Sequence, residues 1–147
     1  MLESATQKMI DDTSINIMNL VSPIVDQRDL EIPDTLKVVT DLKGNMLYYS
    51  RSHIPYDTKK YKGKVPYKKT LGIHLFRKDF LFEFHRMKPT PLEIIESTDM
   101  LRILENGLPI ATFLTETQIY AVDTKADLEF VEEKMKNDPL LNLYAKK

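Results

Sequence analysis

Leu36-Lys37-Val38-Val39-Thr40-Asp41-Leu42-Lys43-Gly44-Asn45-Met46-Leu47-Tyr48-Tyr49-Ser50 is the stretch that decides the fold. Two runs rich in β-branched and aromatic residues flank Lys43-Gly44-Asn45, where glycine admits the positive φ of a tight turn, so the stretch predicts a β-hairpin. Upstream, apolar Ile15, Ile17 and Val21 keep a period of two that is broken once, by Asn19, and this predicts a short strand. Downstream, Leu71-Gly72-Ile73-His74-Leu75-Phe76 reads as a largely apolar strand, in which Gly72 predicts a close backbone approach. A short helix is expected from Asp79 through Phe84, ending before Pro89.

The helix boundaries farther along carry their own chemistry. Thr90-Pro91-Leu92-Glu93 has the layout of a capping box, with threonine as N-cap, proline at the first helical position and glutamate three residues after the cap. A second helix is expected from Ser97 or Thr98 to Asn106-Gly107, where glycine supplies the left-handed terminal residue. Ile110 to Leu114 predicts a strand, and Thr124-Lys125-Ala126-Asp127 caps a last helix with Leu128, Val131 and Met135 at helical spacing. Strands separated by helices indicate an α/β layer structure.

Composition narrows what this fold can be. With 147 residues, 42% hydrophobic and 29% charged, the chain is expected to form one soluble domain over residues 1–147. No apolar run approaches the roughly 20 residues of a membrane-spanning helix, and Met1-Leu2-Glu3-Ser4 does not open an export signal. The absence of cysteine excludes disulfides and thiolate chemistry and fits a cytoplasmic protein. A formal net charge of -1 lacks the electrostatic footprint of a nucleic-acid binder and argues against nucleic acid as a partner. The one strong charge run lies in residues 56–69, with six lysines and no apolar period, and reads as an exposed loop. That loop has three readings: a solvated surface, a nucleic-acid contact, or an electrostatic lure for a small anionic substrate.

Few residues announce chemistry. No glycine-rich phosphate loop occurs, no serine sits in a nucleophile elbow, and His53, His74 and His85 lack the spacing of a zinc pair. Asp123 follows the apolar pair Ala121-Val122 and precedes a helix cap, which places it at a strand end or its connecting turn. A carboxylate there can serve Mg²⁺, which takes one or two carboxylates together with substrate phosphates. It can equally serve only the cap.

Four stretches, in order, resemble the C-terminal half of the acid-sugar cytidylyltransferases, in particular the branch that activates KDO (3-deoxy-manno-octulosonate). Val38-Val39-Thr40-Asp41 through Tyr48-Tyr49-Ser50-Arg51-Ser52-His53-Ile54-Pro55 resembles the family's hairpin leading into Ser-Arg-x-x-Ile-Pro. Leu71 through Arg77 resembles its apolar strand, and Pro89-Thr90-Pro91-Leu92-Glu93 through Leu101-Arg102-Ile103-Leu104-Glu105-Asn106-Gly107 resembles its Pro-x-Pro-Leu-Glu to Leu-Arg-x-Leu-Glu-x-Gly block. Val122-Asp123-Thr124-Lys125-Ala126-Asp127-Leu128-Glu129 matches Val-Asp-Thr-x-x-Asp-Leu-Glu, and the likeness covers about residues 15 to 135.

The resemblance implies the C-terminal portion of a Rossmann-like nucleotide-diphospho-sugar transferase domain. It also implies a reaction of CTP with an acid sugar to give a CMP-sugar and pyrophosphate, with Mg²⁺ as cofactor. By position, Asp123 becomes a metal ligand, Arg51 a contact to the sugar's carboxylate, and His74 and Asp99 members of the sugar pocket. His74 stands at the family's sugar-facing tyrosine, Thr70 at a histidine, and Met100 at the glutamine that follows the acidic position held by Asp99. The family's Pro-Ala-Arg-type nucleotide loop and Gly-Asp metal motif have no counterpart here. The isolated chain is therefore expected to be inactive and to need a nucleotide-binding half, supplied by a split-subunit partner or a longer product, with a homodimer as a further expectation. The alternative function is a non-catalytic binding or assembly module that keeps the fold.

Overall fold

The computed structural model describes residues 1–58, 67–122, 124–138 and 141. They fall into two compact units, Met1–Thr117 and Gln118–Lys147.

The first unit is built on a five-stranded mixed sheet in the order β3-β2-β4-β1-β5. The hairpin forms as its sequence dictates: β2 (Lys37–Thr40) pairs antiparallel with β3 (Met46–Ser50), and Gly44 at the turn has φ +86. Strand β1 (Ile17–Pro23) is interior, antiparallel to the central strand β4 (Lys68–Phe76) and parallel to the edge strand β5 (Ala111–Leu114). A strand covered on both sides carries apolar residues on both faces. Ile17 and Val21 join a core with Val38, Tyr49, Leu101 and Ile103, while Met18 and Leu20 pack with Ala5 and Met9 of helix α1 (Leu2–Asp11).

On the first of these faces lie α3 (Lys78–Arg86), α4 (Pro91–Glu96) and α5 (Leu101–Glu105), whose Phe80, Met100, Leu101 and Ile103 complete that core. The short α2 (Arg28–Glu31) lies between β1 and β2 in sequence. At the start of α4 the Thr90 N–H donates to Glu93 Oε2 at 3.1 Å, the glutamate half of the expected capping box, and Gly107, at φ +73, ends α5.

Several local expectations need correction. Helix α1 is absent from the sequence reading: Leu2, Ala5 and Met9 stand at helical spacing, but the helix opens on Met1 with no capping side chain to mark its start. Strand β4 begins at Lys68, inside the run taken as loop. Its ammonium groups are used: Lys68 Nζ donates to Thr40 Oγ1 at 2.8 Å, and Lys69 Nζ lies 2.7 Å from Asp29 Oδ2 with little exposure. The rest of the lysine run, residues 59–66, lies outside the described residues. Helix α5 starts at Leu101 rather than at Ser97 or Thr98, because Ser97 adopts a left-handed conformation, φ 51, that closes α4.

Gly72 is not a point of close approach. A Cβ built there meets nothing within 4 Å. Between Asn19 and Val21 the pairing of β1 with β4 shifts, with Leu71, Gly72 and Ile73 facing the single residue Leu20, and Gly72 takes φ +70 within this bulge.

In the second unit, α6 (Lys125–Met135) starts at Thr124 as expected. Thr124 Oγ1 accepts from Asp127 N–H at 3.2 Å, and Asp127 Oδ2 accepts from Thr124 N–H at 2.8 Å. Tyr120 and Phe130 meet edge to face at 5.3 Å. Residues 115–122 form no strand, and Asp123 itself lies outside the described residues.

The bulge makes a distinct demand on residue 72. Gly72→Ala is expected to destabilise the chain by about 1–2 kcal/mol through backbone strain alone, and Gly72→Asn by less, since asparagine tolerates the left-handed region. Urea unfolding midpoints check this: equal losses for alanine and asparagine would show that side-chain crowding, not φ, sets the cost.

Candidate functional site

A cleft of about 490 Å³ opens between the sheet and the segment joining α4 to α5. Tyr49 and Arg51 come from the end of β3, Thr70, Gly72 and His74 from β4, and Ser97, Thr98, Asp99 and Met100 from the connecting segment. The structure thus brings Arg51, His74 and Asp99 to one cleft, together with Thr70 and Met100.

One carboxylate holds the two walls together. Glu96, at the last residue of α4, accepts from Ser50 Oγ at 2.5 Å, from Tyr48 Oη at 3.3 Å and from the Arg51 N–H at 3.0 Å. Burial pushes the Glu96 carboxyl up, but the Ser50 hydroxyl and the Arg51 N–H outweigh it and hold the group below its ordinary value. Arg51 returns the contact: Nε donates to Glu96 O at 2.9 Å, Nη1 to Pro33 O at 3.1 Å, and Nη2 to Ser97 O at 3.4 Å. Most of the guanidinium is therefore engaged in fastening the cleft's rim. The bidentate grip on a carboxylate expected of Arg51 would require these bonds to rearrange.

Lys37 supports the same corner from beneath. Its side chain is fully buried, and Nζ donates to Arg51 O at 2.6 Å and to Ile32 O at 2.7 Å. Burial lowers its pKa, with the nearby carboxylates of Glu31 and Asp29 opposing the shift.

The opposite wall carries a polar chain that runs between β1 and β4. Asn19, fully buried in β1, lies 2.9 Å from His74 Nε2 through Nδ2 and accepts from Thr70 Oγ1 at 2.9 Å. Thr70 Oγ1 in turn accepts the Gly72 N–H at 3.1 Å. Burial lowers the His74 pKa, while the Asp99 carboxylate opposes the shift, so the ring is neutral at physiological pH. Tyr49, 1% exposed, forms the floor, its pKa raised by burial and then by Asp99. Asp99 is exposed on the cleft's edge.

The Pro-Leu-Glu to Leu-Arg-x-Leu-Glu block has a structural use. Arg102 pairs with the Glu93 carboxylate through Nε, at 2.7 Å, and Nη2, donates to Met87 O at 3.1 Å, and stacks over Phe84 at 4.9 Å. Glu105 Oε2 accepts the free N–H groups of Leu92 and Glu93 at the start of α4. These residues lock α4 to α5 and so fix the connecting segment that bears Asp99 and Met100. The sequence reading missed Glu96 and Lys37, which carry no pattern of their own. Asn19 did leave a signal, as the break in an apolar alternation.

Among the described residues no three His, Asp or Glu converge as a metal site. A Mg²⁺ bound through a single carboxylate and substrate phosphates needs no such cluster, so Asp123 stays an expectation. No helix among the described residues is long and apolar enough to cross a membrane.

The sequence profile described as cytidylyltransferase matches residues 1–133, a span that includes α1 and begins earlier than the motifs suggest. The 3-deoxy-manno-octulosonate cytidylyltransferase of Geobacter metallireducens is 38% identical over 144 residues, covering 92% of this chain and 57% of the relative. That of Fusobacterium nucleatum is 34% identical over 138 residues, covering 94% and 56%. A solved structure of CMP:2-keto-3-deoxy-manno-octonic acid synthetase complexed with CTP superposes with a TM-score of 0.79 at 33% identity, over 92% of this chain and 55% of that one. The chain spans little more than half the length of these relatives.

The Glu96 junction has a pH signature. Glu93 is held low by Arg102, and Glu96 by its hydrogen bonds. Their contribution to stability is complete above the ordinary carboxyl value of 4.5 and is lost as pH falls through their lower folded values. At pH 7, Glu96→Gln is expected to cost about 1.5–3 kcal/mol, because Ser50 and Arg51 donate to different carboxylate oxygens and the amide would set its NH₂ against one of these donors. Denaturant titrations at pH 7 and across the acid range check both: the variant should show less acid destabilisation than the wild type.

Proposed function

The chain belongs to the cytidylyltransferase family, and on that premise we propose that its cleft is the acid-sugar site of a KDO-type cytidylyl transfer. In that reaction a sugar hydroxyl oxygen attacks the α-phosphorus of CTP. The bond from that phosphorus to the oxygen bridging to the β-phosphate breaks, pyrophosphate leaves, the hydroxyl proton passes to solvent, and a CMP-sugar forms. The observation that carries the proposal is the convergence of Arg51, His74 and Asp99 on one cleft in a chain of this family.

The residues of the cleft suit an acidic polyol. The guanidinium of Arg51 offers positive charge at the rim, Asp99 offers an acceptor for sugar hydroxyls, and Tyr49 and Met100 supply an apolar floor. Methionine at 100 presents no amide, and Thr70 spends its hydroxyl on Asn19. His74 is thus left to supply polar contact on that side. The substrate in this reading is an acid sugar related to KDO whose contacts differ from those of the family pattern at these positions.

Mg²⁺ belongs to the proposal as the charge-neutralising partner of the CTP phosphates, with Asp123 as its ligand from this chain. CTP itself is held in this reading by a nucleotide-binding half that the chain's own motifs do not supply. Homologous enzymes offer no support for the non-catalytic alternative.

Pyrophosphate release with CTP, Mg²⁺ and KDO tests the proposal. The 147-residue chain alone is expected to stay at the no-enzyme background. Combined with the complementary N-terminal portion of a relative, it should turn over, and Asp123→Asn in that combination should abolish turnover with little change in melting temperature, since the cap of α6 is supplied by Thr124. A folded combination that binds CTP yet leaves KDO unreacted would refute the sugar assignment, and normal turnover by Asp123→Asn would refute the metal ligand.

A further inference from the structure

Asn19 is the one amide among the fully buried residues of strand β1, where its neighbours Met18, Leu20 and Val21 are apolar and equally buried. A buried amide in such a place is costly unless each of its polar atoms is satisfied. Both are, and the order of donors follows from where the Thr70 hydroxyl proton can go. The Gly72 backbone can only donate, so Thr70 Oγ1 accepts from it at 3.1 Å with one of its two lone pairs, and its single proton still needs an acceptor. That proton goes to Asn19 Oδ1, 2.9 Å from Thr70 Oγ1. The amide oxygen is thereby committed to Thr70, and the NH₂ group faces His74 Nε2 at 2.9 Å. An NH₂ group has no lone pair to offer, so Nε2 must be the acceptor and the single ring proton of neutral His74 sits on Nδ1.

Nδ1 makes no hydrogen bond to any described residue, and the ring lines the cleft. We infer that Asn19 is a positioning residue that fixes His74 as an Nδ1–H donor to the bound molecule, so that the substrate group meeting His74 is an oxygen lone pair. The substrate side of this inference rests on the sugar-cleft reading above; the tautomer does not. The Gly72 bulge takes part, because it turns the Gly72 N–H onto the Thr70 hydroxyl and so starts the chain. A hydroxyl of tyrosine at position 74 could either give or accept a hydrogen bond, whereas an imidazole locked in this way can only give. A sugar oxygen fits it, and an ammonium or amide N–H does not.

The test is a long-range ¹H–¹⁵N correlation spectrum of the full ¹⁵N-labelled chain at pH 7.5, with the three histidines assigned by a His74→Gln control. The wild type should show His74 as a single neutral Nδ1–H form. Asn19→Asp, which places an acceptor where the NH₂ was, should move a proton onto Nε2. Thr70→Val, a milder change should the aspartate prevent folding, frees the amide to turn over and should give a mixture of tautomers. A wild-type ring protonated on Nε2, or a Thr70→Val spectrum identical to wild type, would overturn the inference. Unlabelled KDO added to the wild type should shift the Nδ1–H resonance; a correct tautomer with no response to KDO would count against the sugar cleft and leave the role of Asn19 standing.

Discussion

The Glu96 carboxylate sets the width of the cleft. It sits where the last turn of α4 meets the end of β3, and three donors from that strand end converge on it. The same junction is tied in reverse by Arg51, whose side chain reaches the carbonyls of Glu96, Ser97 and Pro33. The bonds to the Glu96 carboxylate join a charged group to neutral donors in a partly buried setting, the geometry in which such bonds contribute most. The reach of Arg51 to Pro33 and Ser97, and its ion pair with Asp34 at 3.4 Å, lie on the exposed rim and contribute less. If this junction loosens, the segment carrying Ser97, Asp99 and Met100 is no longer held against the sheet.

A second constraint acts from the other wall and is of a different kind. The Asn19–Thr70–His74 chain stabilises little beyond its own burial, but it decides which atom of an imidazole carries the proton. The two walls therefore have separate duties. The Glu96 junction sets distance and rigidity, with Lys37 locking the Arg51 carbonyl from below, while the Asn19 chain sets hydrogen-bond polarity. Positioned side chains of this sort are worth more than added contacts, because a site held within fractions of an ångström pays its ordering cost before the ligand arrives.

The hairpin, the α4 cap and the start of α6 were legible because each is a local rule: a glycine at positive φ, or a threonine with an acidic residue three positions on. Lys68 and Lys69 were misread because charge was taken to mean exposure, while their ammonium groups find partners on β2 and α2. Helix α1 lacked such a local rule: Leu2, Ala5 and Met9 stand at helical spacing, but no capping side chain marks its start. At the site, Arg51, His74 and Asp99 were found through motif order, but the motif said nothing of Glu96 or Lys37, whose roles exist only once β3 and α4 are side by side. Asn19 was visible as an irregularity and acquired meaning only when the β4 bulge placed Thr70 and His74 on either side of it. Gly72 illustrates the same limit: the sequence marked it as unusual, and only the register shift shows that backbone conformation, not crowding, is what requires glycine.

The claim on which the account turns is that this cleft receives the acid sugar. Backbone amide shifts of the labelled chain, followed while KDO is added to millimolar concentration, test it most directly. The account predicts that the shifted amides cluster at Arg51, Gly72, His74 and Ser97 to Met100, with α1 unaffected. Shifts confined to α1 or to the outer strands, or a spectrum unchanged by KDO, would contradict it.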